Sequence, residues 1–245
     1  MSEMQAVILS AVRTPSGRFQ GSLGGFTAPK LGSFVIKAAV ERAGIDPADI
    51  DEVLMGNVVS AGLGQAPARQ AALGAGLPSF VGATALNKVC GSGLKAAMLA
   101  ASAIKAGDGQ LFVAGGFESM SRAPYLVQGR SGEMRFGHLQ LTDALLNDGL
   151  WCALENWGMG NAAEFIADEY GVTREAMDEF AYNSHRKAIA AMDSGKFKAE
   201  IVPIEIPGRK GEVTIFDTDE APRRDTTLEG LAKLKPAFVK DGKVT

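Results

Sequence analysis

The chain has 245 residues, 46% hydrophobic and 22% charged, enough for a sizeable core in one or two domains. A net charge of −3 supplies no basic field for nucleic acid, and no apolar run approaches the ~18 residues of a membrane-spanning helix. Two cysteines in so long a chain make no disulfide framework, and Met1–Gln5 lacks the pattern of a signal peptide, so a reducing, cytoplasmic setting is expected.

In chain order, Ala6-Val7-Ile8-Leu9 with Ala11-Val12 is a continuous apolar run that predicts a strand buried on both faces. A glycine-rich loop, Gly21 to Gly25, leads to a predicted helix from Pro29 to Ala43, stopped by Gly44. Ile45–Ile50 reads as a turn. Strands are expected at Glu52–Val59, Thr84–Val89 and Gln110–Gly116, with a short helix at Pro67–Leu73. A longer helix, Leu94–Ala106, is apolar enough to be buried on most sides. This alternation predicts a largely parallel sheet with helices on both faces. Ligands then bind beyond the carboxyl ends of the strands.

After Glu118 the texture changes. Residues 119–150 are loop-rich, with glycines at 129, 132, 137 and 149. Helices are expected over Asn161–Glu169 and from the N-cap Thr173 to Met192. Ile201–Ile206 and Val213–Phe216 read as a hairpin-like pair joined through Pro207–Gly211. The chain is therefore read as an α/β domain over 1–118 and a less regular α+β insertion over 119–245.

The chemistry points to Cys90. It sits in Asn87-Lys88-Val89-Cys90-Gly91-Ser92-Gly93-Leu94-Lys95, where a strand turns sharply into a helix. The first N–H groups of a helix have no internal partner, and its dipole favours negative charge there. Gly91 and Gly93 permit unusual backbone angles and close approach of a ligand. A free cysteine is more often a small buried hydrophobe, and that reading suits Cys152, between Trp151 and Ala153. A cysteine nucleophile commonly needs a histidine, yet His138 and His185 both read as surface residues. No residues show metal-ligand spacing. Arg209, Lys210, Arg223, Arg224, Lys233 and Lys235 form a late basic cluster, either a solvated face or a surface for a phosphate.

Several segments resemble the thiolase family. They are Ala11-Val12-Arg13-Thr14-Pro15, Gly56-Asn57-Val58, Asn87–Lys95, Ala114-Gly115-Gly116-Phe117-Glu118-Ser119-Met120-Ser121, Met159–Glu164 and Lys233–Phe238. The likeness runs from about Gln5 to Thr245. It implies the first half of a thiolase-like αβαβα layered fold, with an inserted loop domain that holds coenzyme A. Cys90 then matches the residue that takes the acyl group. Two acetyl-CoA would condense by a Claisen reaction, or CoA would thiolyse a 3-ketoacyl-CoA in reverse. Arg223 matches the arginine near the adenine and phosphate end of CoA. Leu150, Met159 and Phe238 match positions along the pantetheine channel, and the Cys90 N–H matches one oxyanion-hole donor.

The resemblance also implies acyl-CoA substrates, no tightly bound cofactor, and dimers or tetramers of the full-length enzyme. Gly158 replaces a histidine found in many members that act on acetoacetyl-CoA, which leaves acyl chain length open. The family's Gly-His-Pro histidine and Cys-Gly-Gly-Gly cysteine would lie beyond Thr245, so this chain alone is expected to be inactive or nearly so. The alternatives are a non-catalytic CoA-binding module, a structural fragment, and a decarboxylating ketoacyl synthase. Phe117-Glu118-Ser119-Met120 argues against the last.

Overall fold

The structure is a computed structural model that describes residues 5–127, 137–208 and 211–245. Gly129, Gly132, Arg209 and Lys210 lie outside the described residues. Packing divides the chain into two units, Met1–Gly149 with Glu200–Glu220 and Leu150–Ala199 with Ala221–Thr245.

In the first unit, helix α1 spans Ala28–Ala43, with proline in its first turn, where a missing N–H is harmless. It ends at Gly44, whose left-handed φ of 67° lets its N–H reach Glu41 O. A 3-10 turn, Pro47–Asp49, is capped by Asp46, which accepts from Ala48 N. Strand β1 (Glu52–Gly56), helix α2 (Pro67–Gly74), strand β2 (Gly82–Leu86), helix α3 (Ser92–Ala106) and strand β3 (Phe112–Gly116) follow. The sheet is parallel with order β2-β1-β3, Glu52 lying opposite both Gly82 and Phe112.

Alternation along β1 builds the layers. Val53 and Met55 join Ile36 and Val40 of α1 and Ala68, Ala71 and Ala72 of α2 in one core. Leu54 faces the other way and meets Ala96 and Ala100 of α3. Helices thus cover both faces, and the carboxyl ends of all three strands point toward the turn that carries Cys90.

Two expectations need correction. Residues 6–12 belong to no sheet among the described residues, and Ile8 is 86% exposed. An apolar run encodes a wish for burial but not the edge it pairs with. Helix α3 is not buried on most sides: Leu94 is 71% exposed, with Met98 and Leu99 also open. Its buried residues are Ser92, Ala96 and Ala100, the stripe that meets the sheet.

Beyond Glu118, β4 (Tyr125–Leu126) pairs antiparallel with β5 (Thr142–Asp143), and a π-helical turn runs over Leu145–Leu150. The segment Glu200–Glu220 is tied to the start of the chain through Arg13. Its guanidinium forks onto Asp219 at 2.7 and 3.0 Å and reaches Glu200 at 2.6 Å. That hydrogen bonding holds the Asp219 carboxyl below its ordinary range.

The second unit opens with a small hairpin, β6 (Trp151–Cys152) on β7 (Trp157–Gly158). Helix α4 (Met159–Glu169) and helix α5 (Arg174–Asp193) come next, the latter capped by Thr173 Oγ1, which accepts from Ala176 N at 3.2 Å. In the first unit, β8 (Ile204–Pro207) pairs antiparallel with β9 (Val213–Phe216). Helix α6 (Leu228–Ala232) closes the regular structure of the second unit.

Candidate functional site

Cys90 is exposed and in no disulfide. The turn that presents it is tighter than the sequence implied. Strand β2 stops at Leu86, and Val89 takes a φ of 48°. For a β-branched residue that angle is strained, and such strain persists only where surrounding bonds impose it. Ser92 imposes it here. Its buried hydroxyl accepts from Lys88 N at 2.9 Å and donates to Val89 O at 2.6 Å. Asn87 Oδ1 accepts from Val89 N at 2.8 Å, and Gly91 N donates to Lys88 O at 3.1 Å. Gly91 is the N-cap of α3, so Cys90 stands immediately before the helix.

Glycine lets that helix start sit on the sheet. A Cβ on Gly56 would lie 2.5 Å from the Ser92 carbonyl carbon and 2.7 Å from Gly93 N. One on Gly116 would come within 3.3 Å of Gly93 Cα. The backbone of α3 therefore rests directly on the last residues of β1 and β3, and Cys90 is fixed to the strand ends.

A buried polar brace stands at the same strand ends. Glu118 accepts from Val58 N at 2.8 Å, Val59 N at 3.2 Å and Asn57 Nδ2 at 2.8 Å. Burial pushes its carboxyl above the usual range, against the pull of those three bonds. Asn57 also donates to Phe117 O at 3.2 Å, while its own Oδ1 is buried without a partner among the described residues. Sequence reasoning missed this brace. The only signal was a carboxylate directly after the apolar end of a strand.

The histidines supply no visible base. His138 is exposed. His185, half-buried on α5, accepts at Nδ1 from Arg223 N at 3.1 Å, an exposed hydrogen bond. Cys152 is half-buried in β6. Among the described residues no group of three or more His, Cys, Asp or Glu could hold a metal, and no helix is long and apolar enough to cross a membrane.

The other candidate residues fall in the second unit. Leu150 and Met159 are large apolar side chains left open, and Phe238 is 51% exposed. Met159 begins α4, directly after β7. The Phe238 ring packs on Gly160, where a Cβ would collide with it. Arg223 is exposed, and its guanidinium has no partner among the described residues. Neighbouring Arg224 is occupied, forking onto Asp193 at 2.6 and 3.0 Å. A Cβ at Gly158 would lie 3.3 Å from Asn161 Oδ1 and 3.8 Å from the Trp151 ring, a tight fit that Asn161 would have to yield to.

Known proteins give this arrangement a context. The family model described as "Thiolase, N-terminal domain" matches residues 6–245. An acetyl-CoA acetyltransferase of Pseudomonas aeruginosa is 56% identical over 239 residues, 98% of this chain and 61% of that protein. One from Escherichia coli K12 is 55% identical over 241 residues, again 98% of this chain and 61% of that protein. The crystal structure of the Bacillus anthracis acetyl-CoA acetyltransferase superposes with a TM-score of 0.94 at 40% identity, covering 100% of this chain and 62% of that one. The chain thus spans about 61% of the length of these curated relatives.

Proposed function

The chain belongs to the thiolase family, and from that premise we propose that Cys90 accepts an acyl group from a coenzyme A thioester. The Cys90 sulfur attacks the thioester carbonyl carbon, the bond to the CoA sulfur breaks, and CoA leaves as a thiol. In the condensing direction the α-carbon of a second acetyl-CoA gives up a proton and attacks the Cys90 thioester carbonyl; the bond to the Cys90 sulfur breaks, and the released thiolate takes up a proton. In reverse, CoA cleaves a 3-ketoacyl-CoA. The observation that carries this reading is the strained turn at Val89. It leaves a thiol exposed at the carboxyl end of a parallel strand, immediately before a helix, and acyl transfer needs such an accessible nucleophile. We assign the Cys90 N–H as one donor to the oxyanion that develops during attack.

The coenzyme's remaining contacts are assigned by residue. Arg223, whose guanidinium has no partner among the described residues, takes the phosphate-bearing end. Leu150, Met159 and Phe238 offer apolar surface to the pantetheine arm. Residues 119–245 are proposed as the loop domain that carries these contacts, and residues 1–118 as the domain that carries the nucleophile. CoA thioesters enter as substrates, and the assembly proposed for the complete enzyme is a dimer or tetramer. Neither histidine is assigned as base.

Calorimetric titration with CoA tests the binding half of this reading. Cys90→Ala should bind as well as the parent, because the thiol is not needed for affinity. Arg223→Ala should weaken binding about three- to tenfold, with the loss shrinking at high salt. Unchanged affinity in Arg223→Ala at low salt would remove the phosphate assignment. A binding module would give the same titrations but never a covalent acyl group, which separates it from an acyltransferase.

A further inference from the structure

We propose that Glu164 is a positioning residue, which fixes the Phe238 ring where it meets the pantetheine arm of CoA. The inference rests on the assignment of Phe238 made above and names the side chain through which that assignment works.

Gly160, Glu164 and Asp168 recur every four residues along α4 and so share one face. Each meets a different point of the segment 237–244. Gly160 carries the Phe238 ring. Glu164 is only 6% exposed. Its Oε1 accepts from Lys243 N at 3.0 Å and Val244 N at 2.9 Å, and its Oε2 from Lys243 N at 2.9 Å. Asp168 pairs with the Lys243 ammonium at 2.8 Å.

The segment itself contains no helix or strand. It is closed by Ala237 N donating to Val244 O at 2.9 Å and turned by Gly242 N donating to Val239 O at 3.1 Å. Gly242 has no side chain because the Glu164 carboxylate fills that space. Phe238 thus sits one residue from a closure whose other end hangs on Glu164. Hydrogen bonds to a carboxylate are about twice as strong as neutral ones. Here they substitute for regular structure. On the upstream side, Arg174 holds the backbone by donating to Leu231 O and Leu234 O, while pairing with Asp178. The ring is therefore placed by the two ends of the segment, packed on Gly160 and about half exposed.

The test is a double-mutant cycle read by CoA affinity, with amide hydrogen exchange at Lys243 and Val244 as the local readout. Glu164→Ala should raise the CoA dissociation constant roughly tenfold and speed exchange at both amides. Glu164→Gln keeps Oε1 as an acceptor and should recover part of each effect. In a Phe238→Ala background, Glu164→Ala should change CoA affinity less than about twofold, since the residue acts only through the ring. Losses that multiply in the double variant would overturn the proposal. So would unchanged CoA affinity in Glu164→Ala when exchange has risen and Phe238→Ala binds weakly. If Phe238→Ala itself binds CoA normally, the pantetheine assignment fails and this inference falls with it.

Discussion

Cys90 and Cys152 differ in what surrounds them, and that difference is measurable. Cys90 is exposed at a strained turn, while Cys152 is half-buried in a hairpin. Iodoacetamide should modify Cys90 first in folded protein near neutral pH, and equal rates would show that the turn confers no advantage. Two carboxylates carry opposite pH signatures. Glu118 has its folded value raised by burial, so the native state holds that proton more tightly than the unfolded chain. Relative to Glu118→Gln, the parent should lose stability as pH rises from the unfolded carboxyl value through the raised one. Asp219 has its folded value lowered by Arg13, so its contribution is present above the unfolded value and is lost as pH falls. Relative to Asp219→Asn, the parent should lose stability on acidification. Urea unfolding from pH 2 to 7 reads both, and slopes of the same sign would contradict one assignment. Cys90 was legible in the sequence because its glycines and the alanine-rich run lie beside it. Glu118 was not, because its partners are about 60 residues away and meet it only through pairing of β1 with β3.

At the scale of elements, local signals read well and pairing did not. Gly44, Thr173 and the proline in the first turn of α1 mark helix ends through neighbours a few residues away, and the helices stand where those signals put them. The run at Ala6–Val12 has the same apolar texture as β1, yet only β1 is laddered on both sides. Nothing in a residue's own hydropathy names its partner strand. The contact between α3 and the strand ends was equally hidden, since it depends on space left by Gly56. Gly56→Ala should force the start of α3 off the sheet and destabilise the fold by about 1–3 kcal/mol, the usual range for overpacking. A urea midpoint equal to the parent's would show that the helix start can yield without cost.

At the scale of the whole molecule, α3 leaves large apolar side chains open. Leu94, Met98 and Leu99 stand open along one helix, and contiguous apolar surface of this kind drives association. Light scattering should show mass rising with concentration, and Leu94→Lys with Met98→Lys should suppress it. A monodisperse monomer at all concentrations would rule out that role. The first-half thiolase fold was readable because its motifs are dense in sequence, from Gly56-Asn57-Val58 to Phe238. The roles of those residues in acyl transfer rest on one chemical event. Incubating the chain with acetyl-CoA and mapping adducts by peptide mass spectrometry tests it most directly. One acetyl group is expected, as a thioester on Cys90, absent from Cys90→Ser and not found on Cys152. An unmodified Cys90, or acetylation of Cys152 in its place, would contradict it.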